Sequence, residues 1–161
     1  MSKPIVLIDG MSLVFRAYHA LQRTGMKSQT GEPTFAVFAF ANILLSLLEK
    51  HDPEAICVVF DTKEPTFRHE MYPLYKAHRD AFPEDLVPQL GRIKELIRLL
   101  GLSQLELPGF EADDIIGTIA KRESADGHDV LCVTSDKDYF QLVSDRVLVL
   151  RPGKDVAEYE R

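Results

Sequence analysis

Seven carboxylates in this chain are spaced so that they could hold divalent cations between them. Asp9 follows the apolar run 5–8, Asp61 follows 57–60, and Asp136 follows 130–134, with Asp138 two residues on. Glu111, Asp113 and Asp114 crowd the start of an amphipathic segment, 111–125. Residues three apart share a helix face, so Glu111 and Asp114 align while Asp113 can curl over the open first turn. If the apolar runs are parallel strands, three of them deliver an acid to one edge of the sheet, the carboxyl edge where open α/β sheets bind ligands. Two unit charges about 4 Å apart repel by about 4 kcal/mol at an effective dielectric of about 20. Such a cluster stays ionised only around cations. Oxygen donors without His or Cys select Mg²⁺ or Mn²⁺ rather than zinc, and two such ions would change the formal charge of −6 to −2. A pair of ions about 4 Å apart suits the attacking and leaving oxygens of a phosphodiester. Each acid also has a plainer reading. Asp after a strand often caps a helix, Asp9-Gly10 can be a turn, the three acids near 111 complement a helix dipole, and Asp136 and Asp138 can cap the segment at Tyr139.

The elements that must position these acids are legible from apolar periodicity. Runs 4–8, 55–60, 129–133 and 146–150 are nearly continuous in apolar residues, as strands buried on both faces are, and 105–107 reads as a short fifth. Between them, 33–50 is apolar nearly all round and should be deeply packed. Segment 83–100 carries Leu86, Leu90, Ile93, Leu96, Ile97 and Leu100 at the spacing of one helix face, with Gly101 as its stop. Strands alternating with helices predict an α/β fold, a parallel sheet with helices on both faces, in a single domain over residues 1–161.

Composition excludes several classes. At 161 residues, 45% hydrophobic and 27% charged, the chain is too apolar for a disordered tail, and its acidic balance is wrong for a module that grips nucleic acid by bulk attraction. The longest apolar run, 35–48, is short of the roughly 20 residues of a membrane span, and no secretory signal is evident at the start. Cys57 and Cys132 each lie inside an apolar run without a neighbour at zinc spacing. They read as core thiols in a reducing cytosol, so a cytoplasmic location is expected.

One stretch departs from the scheme. Residues 62–82 are polar, aromatic and basic by turns, with Lys63, Phe67, Arg68, His69, Tyr72, Tyr75, Lys76, His78, Arg79 and Phe82 punctuated by Pro65 and Pro73. Long excursions from compact domains are commonly functional. Were it helical, a spacing of four would set Tyr72 with Lys76 and Tyr75 with Arg79, cations for phosphates beside rings for bases.

Five motifs in order make a specific resemblance. They are the run 8–20 beginning Ile8-Asp9-Gly10, Val59-Phe60-Asp61 with Thr66-Phe67-Arg68, Tyr75-Lys76-Ala77-His78-Arg79, Gly109-Phe110-Glu111-Ala112-Asp113-Asp114, and Thr134-Ser135-Asp136-Lys137-Asp138-Tyr139. Together they resemble the N-terminal 5′ nuclease domain of bacterial family A DNA polymerases, a family that includes flap endonucleases and 5′–3′ exonucleases. The resemblance implies a PIN-like, resolvase-like fold and structure-specific cleavage of DNA, or of RNA in hybrids, near a 5′ flap or branch in replication and repair. It implies two Mg²⁺ or Mn²⁺ ions on Asp9, Asp61, Glu111, Asp113, Asp114, Asp136 and Asp138, the same seven. It further implies phosphate-steering roles for Arg16, Arg68, Lys76 and Arg79, with Lys76 and Arg79 assisting catalysis. Tyr75 shares their motif, Phe15 stands where a base-stacking aromatic is expected, and 62–82 corresponds to the start of a helical arch.

The resemblance stops short at the end of the chain. The family continues past the strand at 146–150 with a Gly-Asp-x-x-Asp pair and a duplex-gripping helix-hairpin-helix, which these 161 residues do not contain. The expectation is an N-terminal part of such a domain, or a shortened relative, with polymerase domains of a parent chain as possible partners. One metal site would rest on Asp9, Asp61, Glu111 and Asp113, and a second, leaning on Asp136 and Asp138, would be incomplete. The competing readings are a catalytically impaired module that binds branched DNA or protein, and a PIN-type ribonuclease or other metal-phosphate enzyme.

Overall fold

The computed structural model describes residues 3–77, 81–152 and 158–160. In chain order the elements are β1 (Ile5–Asp9), α1 (Gly10–Leu21), α2 (Phe35–His51), β2 (Ala55–Val59), α3 (Phe67–Met71), α4 (Val87–Leu99), β3 (Ser103–Leu105), α5 (Ala112–Ala125), β4 (Val130–Val133), β5 (Val147–Arg151) and β6 (Glu158–Glu160). A 3₁₀ segment, Lys137–Leu142, leads from β4 toward β5.

The sheet runs β3-β2-β1-β4-β5-β6, parallel except for β6, which lies antiparallel on β5. Strand order reverses at β1: the chain builds outward through β2 and β3, then returns to place β4 on the other side. The carboxyl ends of β1 and β4 therefore flank the switch-point crevice typical of ligand sites in such sheets.

Both faces are covered, because side chains alternate across each strand. Val6, Ile8, Val58, Leu131 and Val133 pack with Leu13, Phe40, Leu44, Ile93 and Ile97 of α1, α2 and α4. Leu7, Val59, Cys132 and Val149 pack with Ala112, Ile116 and Ala120 of α5 and with Tyr139. Burial at this second core pushes the Cys132 thiol up to about 12, an inert core group. No described helix is long and apolar enough to cross a membrane.

The predicted elements appear with shifted ends. β3 lies at 103–105 rather than 105–107, and α4 starts at Val87 after a 3₁₀ turn at Glu84–Leu86. Gly101, the predicted stop, has φ +70, a left-handed conformation that glycine adopts without strain. β6 has no apolar run to announce it. The excursion is corrected more deeply: helix α3 ends at Met71, and turns follow through Ala77. Pro73 forces Tyr72 into extended backbone (φ −143, ψ 97), and Lys76 is left-handed at φ +58, so Tyr72 and Lys76 do not share a helix face. The pairing of Tyr75 with Arg79 cannot be followed, because Arg79 and His78 lie outside the described residues.

Candidate metal centre

Asp9 ends β1 and serves two elements at once. Its Oδ1 accepts from the Ser12 backbone N–H at 3.0 Å and so caps α1, while Oδ2 accepts from the Thr134 hydroxyl at 3.0 Å, just past β4. Asp61, two residues beyond β2, accepts from the Ala112 N–H at 2.9 Å, capping α5 from outside it. Asp136 accepts from the Asp138 N–H at 2.9 Å and caps the 3₁₀ segment. The plain capping roles are therefore real. They also fix the acids, since each cap leaves lone pairs on a carboxylate held at the carboxyl edge.

The start of α5 supplies the tightest group. Among the described residues, Glu111, Asp113 and Asp114 present carboxylate oxygens within 4.8 Å of one another. Asp114 turns back to accept from the Glu111 N–H at 3.0 Å. Two of these acids already hold cations from the excursion. Arg68 grips Asp114 with both guanidinium nitrogens at 2.7 Å and reaches Glu111 at 3.3 Å. Lys76 donates to Glu111 at 2.5 Å and the Tyr75 hydroxyl donates to its other oxygen at 3.1 Å. The Arg68 fork holds the Asp114 carboxyl below the usual carboxylate range. Glu111 itself is only 5% exposed, a depth that only these partners make tolerable.

Asp113 is different. Its Oδ1 is buried and accepts no hydrogen bond from the described residues. Burial, then the nearby Asp114 and Glu111 charges, push its carboxyl up. Burial likewise raises Asp9, with the Asp61 charge adding to it. These are oxygen donors short of positive charge, the grouped acids offer carboxylates alone, and Asp113 Oδ1 is an unpartnered acceptor that a hard divalent cation would satisfy. The residues fit the group.

The other predicted residues fall around this crevice. Asp136 and Asp138 are exposed and stand outside the Glu111 group, joined to Asp9 through Thr134, whose Oγ1 accepts from the Asp136 N–H at 3.1 Å. Phe15 and Arg16 are half-buried on α1. Phe15 meets Phe82 edge-on at 5.7 Å, tying the far end of the 62–82 excursion to α1. The near end is tied to α5 through Arg68, Tyr75 and Lys76. A cleft of about 290 Å³ opens at this near end, lined by Asp61, Thr66, His69, Lys76 and Glu111 among others.

Three contributors were not singled out from the residue pattern. Ser12 and Thr134 hold Asp9, and Tyr139 is buried beside it. Thr134, a polar residue closing an apolar strand, was the legible signal. Tyr139 was not legible, since an aromatic after a strand reads as core.

Comparison with known proteins follows the geometry. DNA polymerase I, thermostable, of Thermus aquaticus is 50% identical over 148 residues, covering 92% of this chain and 17% of the polymerase. DNA polymerase I of Mycobacterium tuberculosis is 44% identical over 161 residues, covering 99% of this chain and 18% of its own. The chain thus spans under a fifth of these curated relatives. The T5 5′-exonuclease shares the fold, with TM-score 0.67 at 21% identity over 92% of this chain and 49% of that one. The bacteriophage T5 flap endonuclease has been crystallised as a pseudo-enzyme-product complex with DNA and metal ions (TM-score 0.66, 22% identity, 91% of this chain and 54% of that one). The family described as 5′-3′ exonuclease, N-terminal resolvase-like domain, matches residues 4–161, and the chain belongs to it.

Proposed function

We propose that this chain is a structure-specific 5′ nuclease domain. It would hydrolyse DNA phosphodiesters where a 5′ flap or branch meets duplex, and RNA–DNA hybrids similarly, with Mg²⁺ or Mn²⁺ as cofactor. The observation that carries this reading is the meeting of Asp9, Asp61 and the Glu111–Asp114 group, from three separate elements, at the point where strand order reverses, with Asp113 Oδ1 left without a donor. The metal-ion and DNA complex of the T5 flap endonuclease supports it by analogy.

Asp9, Asp61, Glu111 and Asp113 would hold the cation, and Asp114, Asp136 and Asp138 would add negative potential around a second. Divalent ions in such a site polarise the phosphodiester and activate water. The chain's own residues do the rest. Arg68 and Lys76 keep positive charge at the mouth of the crevice, where an incoming phosphate competes with Asp114 and Glu111 for them and where charge develops on the reacting phosphate. Phe67, Tyr72 and Tyr75 offer rings to unstacked bases. Arg16 and Arg79 would steer the backbone further out, and Phe15 would stack beside it. The polymerase relatives support polymerase domains as partners, and the same reading would place the chain in a bacterial cytosol.

The test is cleavage of a labelled 5′-flap substrate with Mn²⁺, beside a gel shift in Ca²⁺. Asp61→Asn and Asp114→Asn should each abolish product while keeping the circular-dichroism spectrum. Full cutting by both variants overturns the site. Binding without product in the unaltered protein supports a DNA-binding module instead.

A further inference from the structure

The Tyr139 side chain is 2% exposed, its ring packed in the second core with Ala112, Ile116 and Cys132. Its hydroxyl is buried and meets no hydrogen-bond partner among the described residues. A phenol placed only for packing leaves its oxygen at a wet edge or pairs it, because an unmade buried hydrogen bond is expensive. Burial raises this phenol's pKa, and the charges of Asp9, Asp113 and Asp61 raise it further, so the hydroxyl lies within electrostatic reach of these acids, and it in turn favours the ionised form of Asp9. The second orphan of the crevice, Asp113 Oδ1, lies on the helix that packs over the same ring. A donor without an acceptor and an acceptor without a donor therefore share this crevice.

Asp9 has room for the donor. Ser12 takes one lone pair of Oδ1 and Thr134 one of Oδ2, leaving a site on each oxygen. We propose that Tyr139 is a positioning residue for the metal centre: when the cation binds, its O–H, unpartnered in the metal-free protein, donates to Asp9 and orients that carboxylate so that its remaining lone pair meets the ion. Groups that orient a metal-binding carboxylate in this way tune affinity without touching the ion. The inference rests on the metal-dependent reading above.

The experiment is calorimetric titration of Mn²⁺ into the unaltered chain, Tyr139→Phe and Asp113→Asn, with melting curves with and without Mn²⁺. Tyr139→Phe removes one oxygen that has no partner, so the metal-free protein should melt no lower. Its Mn²⁺ affinity should fall about tenfold, and its flap cleavage should lose kcat with KM unmoved. A packing-only role would leave Mn²⁺ affinity unchanged. Affinity within about twofold of the unaltered chain, while Asp113→Asn loses binding, overturns the Tyr139 role alone. Absence of Mn²⁺ binding in the unaltered chain overturns the metal reading and this inference with it.

Discussion

Phe60 lies against the first turn of α1 only because Gly10 has no side chain: a β-carbon there would stand 2.6 Å from Phe60 Cε1 and 2.7 Å from Cδ1. Gly10 follows Asp9 and Phe60 precedes Asp61, and Asp9 is in register with Val59 across β1 and β2. The contact therefore sets how near the two acids stand.

Gly10→Ala should destabilise the protein despite alanine's better helix propensity, which is worth up to about 1 kcal/mol. Phe60 is fully buried, and displacing a ring in a packed core typically costs about 1–3 kcal/mol. The expected net loss is about 1–2 kcal/mol in urea unfolding, with weaker Mn²⁺ binding. Equal or greater stability would mean that the ring shifts freely and that the contact does not hold the acids.

Thr134 is 1% exposed and bridges Asp9 and the Asp136 backbone with one hydroxyl. Thr134→Val keeps the shape and removes both bonds, so it should lower stability by about 1–3 kcal/mol. Thr134→Ser keeps the hydroxyl and should recover most of that loss. A valine variant as stable as the parent would show that Asp9 finds another donor.

Much of this was readable in advance, for identifiable reasons. Strands buried on both faces must be apolar throughout, so β1, β2, β4 and β5 declared themselves, and Asp9, Asp61 and Asp136 stand at or just past the ends of β1, β2 and β4. Short β3 was displaced by two residues because three residues carry little periodicity. In the excursion the pairing of Tyr72 with Lys76 was conditional on a helix, and Pro73 denies it that condition. What spacing could not reveal was pairing across the fold: that Arg68 closes on Asp114, or that Lys76 and Tyr75 share Glu111, depends on the path of a loop rather than on a repeat.

Arg68 and Asp114 form a two-pronged pair, both bonds at 2.7 Å, with about a quarter of each side chain exposed. Lysine cannot reproduce the fork, so Arg68→Lys should lose about 1–2 kcal/mol of metal-free stability. A double-mutant cycle with Arg68→Ala and Asp114→Ala should give a coupling of about 1–3 kcal/mol. Coupling under about 0.5 kcal/mol would reduce the pair to a surface contact.

Asp113 should make the metal-free protein less stable as it ionises. Burial raises its folded pKa above the ordinary 3.8, so the folded state binds the extra proton. Its contribution is fully present below about 3.8 and is lost as pH rises through the folded value. Asp113→Asn should therefore melt higher than the parent at pH 7 without metal, the gap closing toward pH 4. Asp114 has the opposite sign: Arg68 lowers its pKa, so its contribution is present above 3.8 and lost as pH falls through the lower folded value, and Asp114→Asn should melt lower at pH 7. Saturating Mn²⁺ should reverse the first ranking, raising the melting point of the parent and leaving Asp113→Asn nearly unmoved. If Asp113→Asn instead melts below the parent at pH 7 without metal, Asp113 is a stabilising structural acid, and its isolation in the crevice has another cause.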